Sequence, residues 1–402
     1  MTLILKESLN KEKFNVQKYY NLPKKVLHCK KCVISNQRPR ITFDKDGVCS
    51  ACKFAETKHK IIDWDSREKE LIKLLDRFRK DNGEWDVVVP CSGGKDSIFV
   101  AHMLKFKYKM NPLTVTWAPM LYTDVGRRNL QNMIKSGLDN IIGTPNGKIH
   151  RVLTKLSLEM IGDVFQPFIY GQKSFPMRIA IKFKIPLVMF GENGEVEYGG
   201  DNKNADTPTH NVTDDMVKHY FSGVSPEEFS KHGIDKKDLK FYYPPSEKEA
   251  KEVGLENHFF SYYKKWVPQE NYYYAVENCE FEPEPDGRSE GTYSKYASLD
   301  DRVAGYHNYF AWLKFGHGRA TSDAAHEIRD GHITREEGIS LVKKYDGELP
   351  KKHFKEFLEY VDLTEEEFFI IADRFRADHL WEMSGNFWKL KKPVWVNDVS
   401  KQ

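Results

Sequence analysis

Long apolar runs are missing from this sequence of 402 residues. None approaches the roughly 20 residues that a helix needs to cross a bilayer, so we expect no membrane span. The opening stretch MTLILKESLNKEKFNV has three consecutive apolar residues before Lys and Glu follow. A secretory signal would carry a longer apolar segment. We therefore expect a cytoplasmic protein without a signal peptide.

A large excess of one charge is also missing. The sequence has 62 Lys and Arg against 59 Asp and Glu, a formal net charge of +3. Proteins that bind nucleic acid through their overall charge are far more basic, so we expect no nucleic-acid partner. Residues 1–60 are an exception, with 14 basic and 5 acidic residues and a local net charge of +9. This excess indicates either an anionic partner or a solvated lead-in segment.

Cysteine is scarce, and its placement is informative. Of six cysteines, four lie between residues 29 and 52, whereas Cys91 and Cys279 are isolated. Small secreted domains that depend on disulfides carry a denser and more even set of cysteines in a shorter chain. In a cytoplasmic chain, a cluster of four indicates a metal site instead.

The clustered cysteines follow the pattern Cys29-x2-Cys32-x16-Cys49-x2-Cys52. Two CxxC pairs bring four thiolates around one point, and such a tetrahedral shell suits Zn2+ and also iron. The turn signal Asp46-Gly47 comes just before the second pair, as in a zinc ribbon. Because the protein supplies all four ligands, we predict a structural zinc site without an open coordination position.

The middle of the chain alternates between strand-like and helix-like segments. Strands are predicted at 86–90, 113–117, 150–154 and 185–191, and helices at 66–80, 97–106 and 125–137. This alternation predicts an α/β fold with a doubly wound parallel sheet. Helical patterns return near residue 294, with capping boxes that begin at Thr334 and Thr364.

These patterns divide the chain into four predicted regions. They are a basic lead-in with a zinc-ribbon-like head at 1–65, an α/β domain at 66–200, an insertion or cap at 201–293 and a helical region at 294–402. Aromatic residues make up 13% of the sequence, which is enough to build a sizeable core.

The segment SGGKDS follows the first predicted strand directly and opens a helix. Paired glycines let the backbone turn tightly, and the N–H groups of the turn and of the helix start can hold phosphate. At a strand–helix junction the segment resembles the PP-loop of the adenylating ATP pyrophosphatases, which have an adenine nucleotide alpha hydrolase-like fold. The resemblance implies cleavage of ATP between its α and β phosphates. It also implies ATP or pyrophosphate binding by Ser92, Gly93, Gly94, Lys95, Asp96 and Ser97, with Asp96 helping to hold Mg2+.

A second candidate site is the segment GENGEVEYGG, which follows the predicted strand at 185–191. Doubly wound sheets bind ligands at the carboxyl ends of their strands. Glu192, Glu195 and Glu197 are therefore candidates for orienting Mg2+ or sugar hydroxyls, and a solvated acidic loop is the alternative. Gly191, which ends the predicted strand at 185–191, and Asp124, just beyond the predicted strand at 113–117, are candidate ATP-binding residues.

The remaining candidates lie later in the chain. Small residues beside Lys295 and Arg319 indicate a second anion site, although ordinary helix starts have a similar composition. Tyr198, Tyr263 and Trp266 offer aromatic or hydroxyl contacts to a sugar or nucleotide, and core packing explains such residues equally well. We predict catalytic roles for Lys95, Asp96, Glu192, Glu195, Lys295 and Arg319, and substrate contacts for Glu197, Tyr198, Tyr263 and Trp266.

Five motifs in this order resemble the N-acetyl sugar amidotransferases, the WbpG- and PseA-type enzymes of lipopolysaccharide (O-antigen) and pseudaminic acid biosynthesis. They are the CxxC…CxxC head, PCSGGKDS, GENGEVEYGG, FFSYYKKWVP and KFGHGRATSDAA, and they span residues 25–345. The resemblance implies that an acetamido group of a nucleotide-activated sugar becomes an acetamidino group. ATP activates the amide oxygen, ammonia attacks the carbon, and AMP leaves.

The source of ammonia is expected to be another protein. The sequence shows no N-terminal cysteine nucleophile and no glycine–cysteine–glycine elbow followed by His-x-Glu. The resemblance implies a glutaminase partner of the HisH type, in some members together with a HisF-like subunit. The main alternative is a PP-loop enzyme that thiolates tRNA, and a second is a zinc scaffold with an inactive nucleotide loop. Few cysteines outside the head and a small net charge disfavour the first, and an intact SGGKDS disfavours the second.

Overall fold

The structure, a computed structural model, describes residues 12–200, 205–209 and 222–396. Its central sheet has five parallel strands in the order β3-β2-β1-β4-β5. They are β1 (Val87–Pro90), β2 (Pro112–Trp117), β3 (Asp139–Gly143), β4 (Leu187–Phe190) and β5 (Glu256–Phe259). The strand order reverses between β1 and β4, which is where sheets of this kind bind ligands. The predicted α/β fold is confirmed.

Helices cover both faces of the sheet. In chain order they are α1 (Val16–Tyr19), α2 (Ser50–Lys60), α3 (Trp64–Phe78), α4 (Lys95–His102), α5 (Asp124–Lys135), α6 (Gly147–Ile161), α7 (Gln166–Lys182), α8 (Gly194–Tyr198), α9 (Glu227–Ser230), α10 (Glu247–Val253), α11 (Phe260–Tyr263), α12 (Pro268–Cys279), α13 (Ala304–Phe315), α14 (Arg319–Asp330), α15 (Arg335–Tyr345), α16 (Phe354–Val361) and α17 (Glu365–Phe375). A π-helical turn (Met103–Lys107) extends α4, and a 3-10 helix spans Lys236–Tyr242.

Strand β1 shows how the two cores form. Its side chains alternate between faces, so Val87 and Val89 pack into one core while Val88 packs into the other. The first core includes residues of α3, α4, α5 and α12, and the second includes residues of α6 and α7. Burial on both sides explains why the strand is a continuous run of valines.

The predicted strand at 150–154 is wrong. These residues lie inside α6, whose N-cap Asn146 accepts hydrogen bonds from the backbone amides of Lys148 and Ile149. Ile149, Leu153 and Leu156 are buried at helical spacing, so the apolar run is one face of a helix. The third strand is instead Asp139–Gly143, which is short and partly exposed and therefore lacks a strong apolar pattern.

The predicted insertion also contributes to the sheet. Strand β5 pairs with β4 along its whole length, and α12 packs against α4 beside it. The sequence pattern did not indicate this strand because ENHF mixes polar and apolar residues. Residues 201–204 and 210–221 of the insertion, 1–11 of the lead-in and 397–402 lie outside the described residues.

The C-terminal region is helical as predicted, and the capping boxes at Thr334 and Thr364 are present. It ends in an antiparallel hairpin of β6 (Trp381–Ser384) and β7 (Phe387–Leu390), which was not predicted. The cysteine-bearing head packs on this region, because its apolar residues share one core with α14 and α15. Across the described residues, every helix is too short or too polar to pass through a bilayer.

Candidate active site

The SGGKDS segment follows β1 and opens α4 as predicted, with the turn at Ser92–Gly94 and the helix starting at Lys95. Gly93 has a φ of +85°, and a Cβ there would lie 2.8 Å from the backbone of Leu130 in α5. Only glycine fits both the left-handed conformation and this close approach. Gly94 is the N-cap of α4 and provides no side-chain cap. The amides of the first turn are therefore open to an anion.

A cavity of about 270 Å³ lies at the carboxyl ends of β1, β2 and β4, beside this loop. Its wall includes the predicted residues Ser92, Gly94, Asp96, Ser97, Gly191 and Glu192. Residues that were not predicted, among them Trp117, Phe168, Gln172 and Lys173, complete it. Indole and phenyl rings next to a phosphate loop offer an apolar surface for a nucleotide base. We name this space the loop cavity.

Asp96 is held in place from two directions. One carboxylate oxygen accepts a hydrogen bond of 2.9 Å from the side-chain amide of Asn271 in α12. The other accepts one from the ammonium of Lys95. Lys95 is 8% exposed, and its Nζ lies 5.1 Å from the centre of the Tyr296 ring. The first turn of α4 thus presents a fixed carboxylate and a nearby ammonium to the cavity.

Glu192 is the second carboxylate of the loop cavity. Burial and the negative charge of Asp96 raise the pKa of Glu192 to about 7. Burial lowers the pKa of the neighbouring Lys173, whose Nζ lies 5.1 Å from the Phe190 ring centre. Two carboxylates that repel each other beside a phosphate loop are a suitable pair of oxygen ligands for Mg2+. Asp96 and Glu192 therefore fit a magnesium ion that arrives with ATP.

Tyr198 and Arg319, from distant parts of the chain, lie near the charged groups of the loop cavity. Burial and the charge of Glu192 raise the pKa of the Tyr198 hydroxyl, while Arg319 lowers it. The pKa of Arg319 is raised even though burial alone would lower it, because Asp323, Tyr198 and Asp96 are close. Arg319 Nε donates to Asp323 at 2.9 Å. Lys95, Asp96, Glu192, Tyr198 and Arg319 thus form one electrostatic cluster.

The other two glutamates of the acidic segment turn away from this cluster. Glu195 forms a bidentate pair with Arg40 of the head, at 2.6 and 3.0 Å. Glu197 is buried and accepts a 3.0 Å hydrogen bond from Lys58, a buried lysine of α2. The short helix α8 directs their side chains toward the head instead of the cavity. Catalysis by Glu195 and substrate contact by Glu197 stay predictions, and these positions favour a structural role.

Tyr263, Trp266, Lys295 and Asp124 are not among the residues that line the loop cavity. Tyr263 and Trp266 are 3% and 1% exposed and belong to a core of the α/β domain. Lys295 is exposed, and its Nζ lies 5.0 Å from the Tyr272 ring centre. Asp124 begins α5 and lines a separate, larger cavity. Aromatic and charged residues in sequence do not reveal which side of an element they occupy, which is why these predictions differ from the positions observed.

The four cysteines of the head come together. Their sulfurs all lie within 4.8 Å of one another, with Cys29–Cys52 and Cys32–Cys49 each at 3.8 Å. Four sulfurs bound to zinc at about 2.3 Å form a tetrahedron with edges of about 3.8 Å, so the set fits this metal. All four residues are buried. The guanidinium of Arg329 lies 4.0 Å from Cys32 Sγ and donates to the backbone oxygen of Glu197 at 2.9 Å.

Cys91 and Cys279 lack the surroundings of reactive thiols. Both are buried, and burial raises the pKa of Cys91 to about 11 and the pKa of Cys279 in the same direction. Cys91 Sγ lies 3.1 Å from Ser97 Oγ and 3.0 Å from Met133 Sδ. A thiol in such an apolar setting stays protonated and is a poor nucleophile.

Sequence reasoning missed Asn271 and Lys173. Asn271 sits in the first turn of α12, and Lys173 lies in the middle of α7. Neither belongs to a compact motif, and each reaches the site only through tertiary packing. A usable signal existed for Trp117 alone, because it ends a predicted strand at the edge where ligands bind.

Comparisons with known proteins support part of this picture. Residues 290–394 match the family model described as LPS biosynthesis protein WbpG-like, C-terminal domain. An uncharacterised protein of Methanocaldococcus jannaschii is 29% identical over 90 residues, and the aligned part spans 22% of this chain and only 32% of that protein.

A solved structure, NMN synthetase from Francisella tularensis, is similar over 56% of this chain and 99% of its own, with 10% identity and a TM-score of 0.26. So low a TM-score adds nothing to the fold that the strand order already defines. The family match, in contrast, covers the region that supplies Tyr296 and Arg319 to the site. Residues 290–394 of this chain are therefore similar to the WbpG-like C-terminal domain, in agreement with the resemblance to WbpG-type enzymes in the sequence.

Proposed function

We propose that the protein is an ATP-dependent amidotransferase that converts the acetamido group of a nucleotide-activated N-acetyl sugar to an acetamidino group. The main support for the proposal is that two separate parts of the chain meet in one site. The SGGKDS loop supplies Lys95 and Asp96, and the WbpG-like region supplies Arg319 and Tyr296 beside them. A phosphate-binding loop alone would indicate that the protein uses ATP, but it would not indicate which molecule accepts the adenylyl group.

The proposed reaction has two steps. The amide oxygen of the sugar attacks the α-phosphorus of ATP, which forms an O–P bond and releases pyrophosphate. Ammonia then adds to the activated carbon, a proton is lost, and AMP leaves with the former amide oxygen. Lys95, Arg319 and the amides of the first turn of α4 would balance the negative charge that develops on the phosphates. Asp96 and Glu192 would hold the magnesium ion bound to ATP.

Ammonia is the natural nucleophile for this chemistry, and water is its competitor. Attack by water would only restore the amide, so the site must exclude water while ammonia enters. Because this chain shows no glutaminase nucleophile, we propose that a HisH-type glutaminase partner, with or without a HisF-like subunit, delivers ammonia. With ammonium salt alone, turnover should rise with pH as more free ammonia forms.

Mass spectrometry of the product tests the reaction directly. Incubation of nucleotide-activated N-acetyl sugars with ATP and ammonium should lower the sugar's mass by about one unit, because NH replaces O. If the acetamide carries ¹⁸O, the label should appear in AMP. Asp96→Asn serves as the inactive control. Label that stays in the sugar, or AMP formation that does not depend on a sugar, would contradict the proposal.

The alternative of tRNA thiolation finds no support in the site. Such an enzyme needs a sulfur carrier or reactive thiols near the adenylated base. Outside the head, Cys91 and Cys279 are the only cysteines in the sequence, and both are buried with raised pKa values. ATP consumption stimulated by tRNA and not by any nucleotide-activated sugar would favour this alternative.

A further inference from the structure

A second cavity, of about 540 Å³, lies between the start of α5 and the C-terminal region. It is about twice the size of the loop cavity and falls in the usual range for small-molecule sites. Asp124, Asp301, Arg302, Asn308 and Arg319 are among the residues that line it. We name it the acceptor cavity.

The acceptor cavity adjoins the phosphate loop through a short shared wall. Burial raises the pKa of Asp300 and the nearby side chain of Ser92 in the loop lowers it, and the next residue, Asp301, lines the acceptor cavity. Arg319 also lines this cavity, and the negative charge of Asp96 helps to raise its pKa. A ligand in the acceptor cavity would therefore lie beside the nucleotide in the loop cavity.

The lining combines cations with carboxylates. The five basic residues are Arg128, Arg288, Arg302, Arg319 and Lys352, and five Asp and Glu residues accompany them. Guanidinium groups suit phosphate oxygens, whereas carboxylates suit the hydroxyls of a sugar. Arg302 is bound to Glu356 only through NH1, and its Nε is buried without a hydrogen-bond partner among the described residues. This leaves one buried donor for a ligand to satisfy.

The backbone contributes partial positive charge at two helix starts near the acceptor cavity. Helix α13 begins at the cavity wall and helix α16 begins beside His353, and neither has a side-chain N-cap. Helix starts carry partial positive charge, which favours an anionic group nearby. Cationic side chains, helix starts and carboxylates together suit a molecule with both phosphate and hydroxyl groups.

We propose that the acceptor cavity binds the phosphate-bearing sugar substrate, with Arg302 contacting a phosphate and the acetamido group directed past Arg319 toward ATP. This inference rests on the proposed function and assigns its acceptor to a site separate from the nucleotide loop. The loop cavity would then hold ATP alone.

Binding measurements test the assignment without requiring turnover. The probes are UDP-N-acetylglucosamine and CMP-N-acetylneuraminate, titrated by calorimetry with the loop cavity saturated by α,β-methylene-ATP. Asn308→Trp fills the acceptor cavity, and the Asn308 side chain bonds only to Ala304 of its own helix, so the fold should tolerate the change. Glu359→Trp, at an exposed position of α16 outside the cavity, is the matched control.

At least one probe should bind the wild type, and Asn308→Trp should raise its Kd about tenfold or more. Arg302→Met should weaken binding of the same probe to a similar extent, because it removes the guanidinium group that contacts the phosphate. The variant should still fold, since the released Glu356 is 41% exposed and stays solvated. Affinity for α,β-methylene-ATP should change less than about twofold in each variant, which also shows that they are folded. Glu359→Trp should bind like the wild type.

Three outcomes of the binding measurements would overturn the assignment. They are no probe bound by the wild type, undiminished probe binding in Asn308→Trp, and loss of α,β-methylene-ATP instead of the sugar probe. The last would mean that the acceptor cavity belongs to ATP. A normal acetamidine product from Asn308→Trp would reject the cavity while leaving the reaction intact. Blocked probe binding without any acetamidine product from the wild type would keep the cavity and reject the reaction.

Discussion

Glu192 and Glu197 lie in one acidic segment, yet the fold gives them opposite surroundings. Glu192 faces the loop cavity, where burial and the charge of Asp96 raise its pKa to about 7. Glu197 points to the head and pairs with Lys58, which also contacts Asp330 at 3.2 Å and the backbone oxygen of Trp266 at 2.8 Å. One carboxylate faces like charge and an open space, and the other faces a cation in a closed core.

The difference separates a functional environment from a structural one. A carboxylate next to another carboxylate costs free energy unless a ligand or metal compensates, so such a pair indicates a binding site. The charge of a carboxylate paired with a buried lysine is offset by a cation, and the pair holds two parts of the fold together. The acidic segment thus joins the head to the α/β domain at one end and serves the loop cavity at the other.

The largest effect should come from Asp96. Asp96→Asn keeps a hydrogen-bonding side chain toward Asn271 but removes the charge that would hold magnesium-bound ATP. We expect AMP formation to fall by roughly 10³-fold, as when a key electrostatic group of an active site is lost. A steady-state assay of AMP release measures this, and calorimetry should show that sugar binding persists. Equal loss of both would mean that Asp96 organises the fold.

Next in size is the effect of breaking the buried pair. Lys58→Met leaves two buried carboxylates, Glu197 and Asp330, without their shared cation. We expect the free energy of unfolding to fall by about 3–5 kcal/mol, measured by urea denaturation. Lys53→Met is the matched control on the same helix, because Lys53 pairs with Asp44 at the surface and is 47% exposed. A loss at Lys58 no larger than that at Lys53 would contradict the structural role.

A pH-dependent effect should mark Glu192. Its pKa of about 7 in the folded state lies above the usual value near 4.3 for an unfolded chain. The contribution of Glu192 to stability is thus fully present below about pH 4 and is lost as pH rises through about 7. Glu192→Gln, which mimics the neutral form, should be more stable than the wild type at pH 8 and equal to it near pH 4.

ATP consumption should depend on pH in the opposite direction from stability. If Glu192 holds magnesium as a carboxylate, ATP consumption by the wild type should rise through about pH 7, and Glu192→Gln should lose that step. Thermal denaturation without magnesium and a pH–rate profile measure the two properties. A variant that is both less stable at pH 8 and unaltered in its pH profile would place Glu192 with Glu197 as a structural residue.

The sequence predicted the parts of this site whose requirements are local. Two CxxC pairs and a Gly-Gly turn between a strand and a helix each constrain a few adjacent residues, and both have the predicted geometry. Where the side chains of Glu195 and Glu197 in α8 point depends instead on packing against α2, and the contact between Asn271 and Asp96 joins residues 175 positions apart. The segment at 150–154 was assigned wrongly because short apolar runs fit a buried strand or a helix face equally well.

Glu195 provides the sharpest test of the comparison, although its expected effect is the smallest. It lies between Glu192 and Glu197, and the motif alone predicts a catalytic role. The structure pairs it with Arg40, which is 31% exposed, so solvent screens the interaction. Glu195→Ala should therefore cost about 1 kcal/mol or less in urea denaturation and change AMP formation by less than about twofold. Arg40→Ala should have the same small effect on both, because it removes the other half of the same pair.

If Glu195→Ala abolished AMP formation while Arg40→Ala did not, the carboxylate would have to reach the loop cavity during turnover. The acidic segment would then move as a unit, and the division between its functional and structural ends would hold only for the state described here.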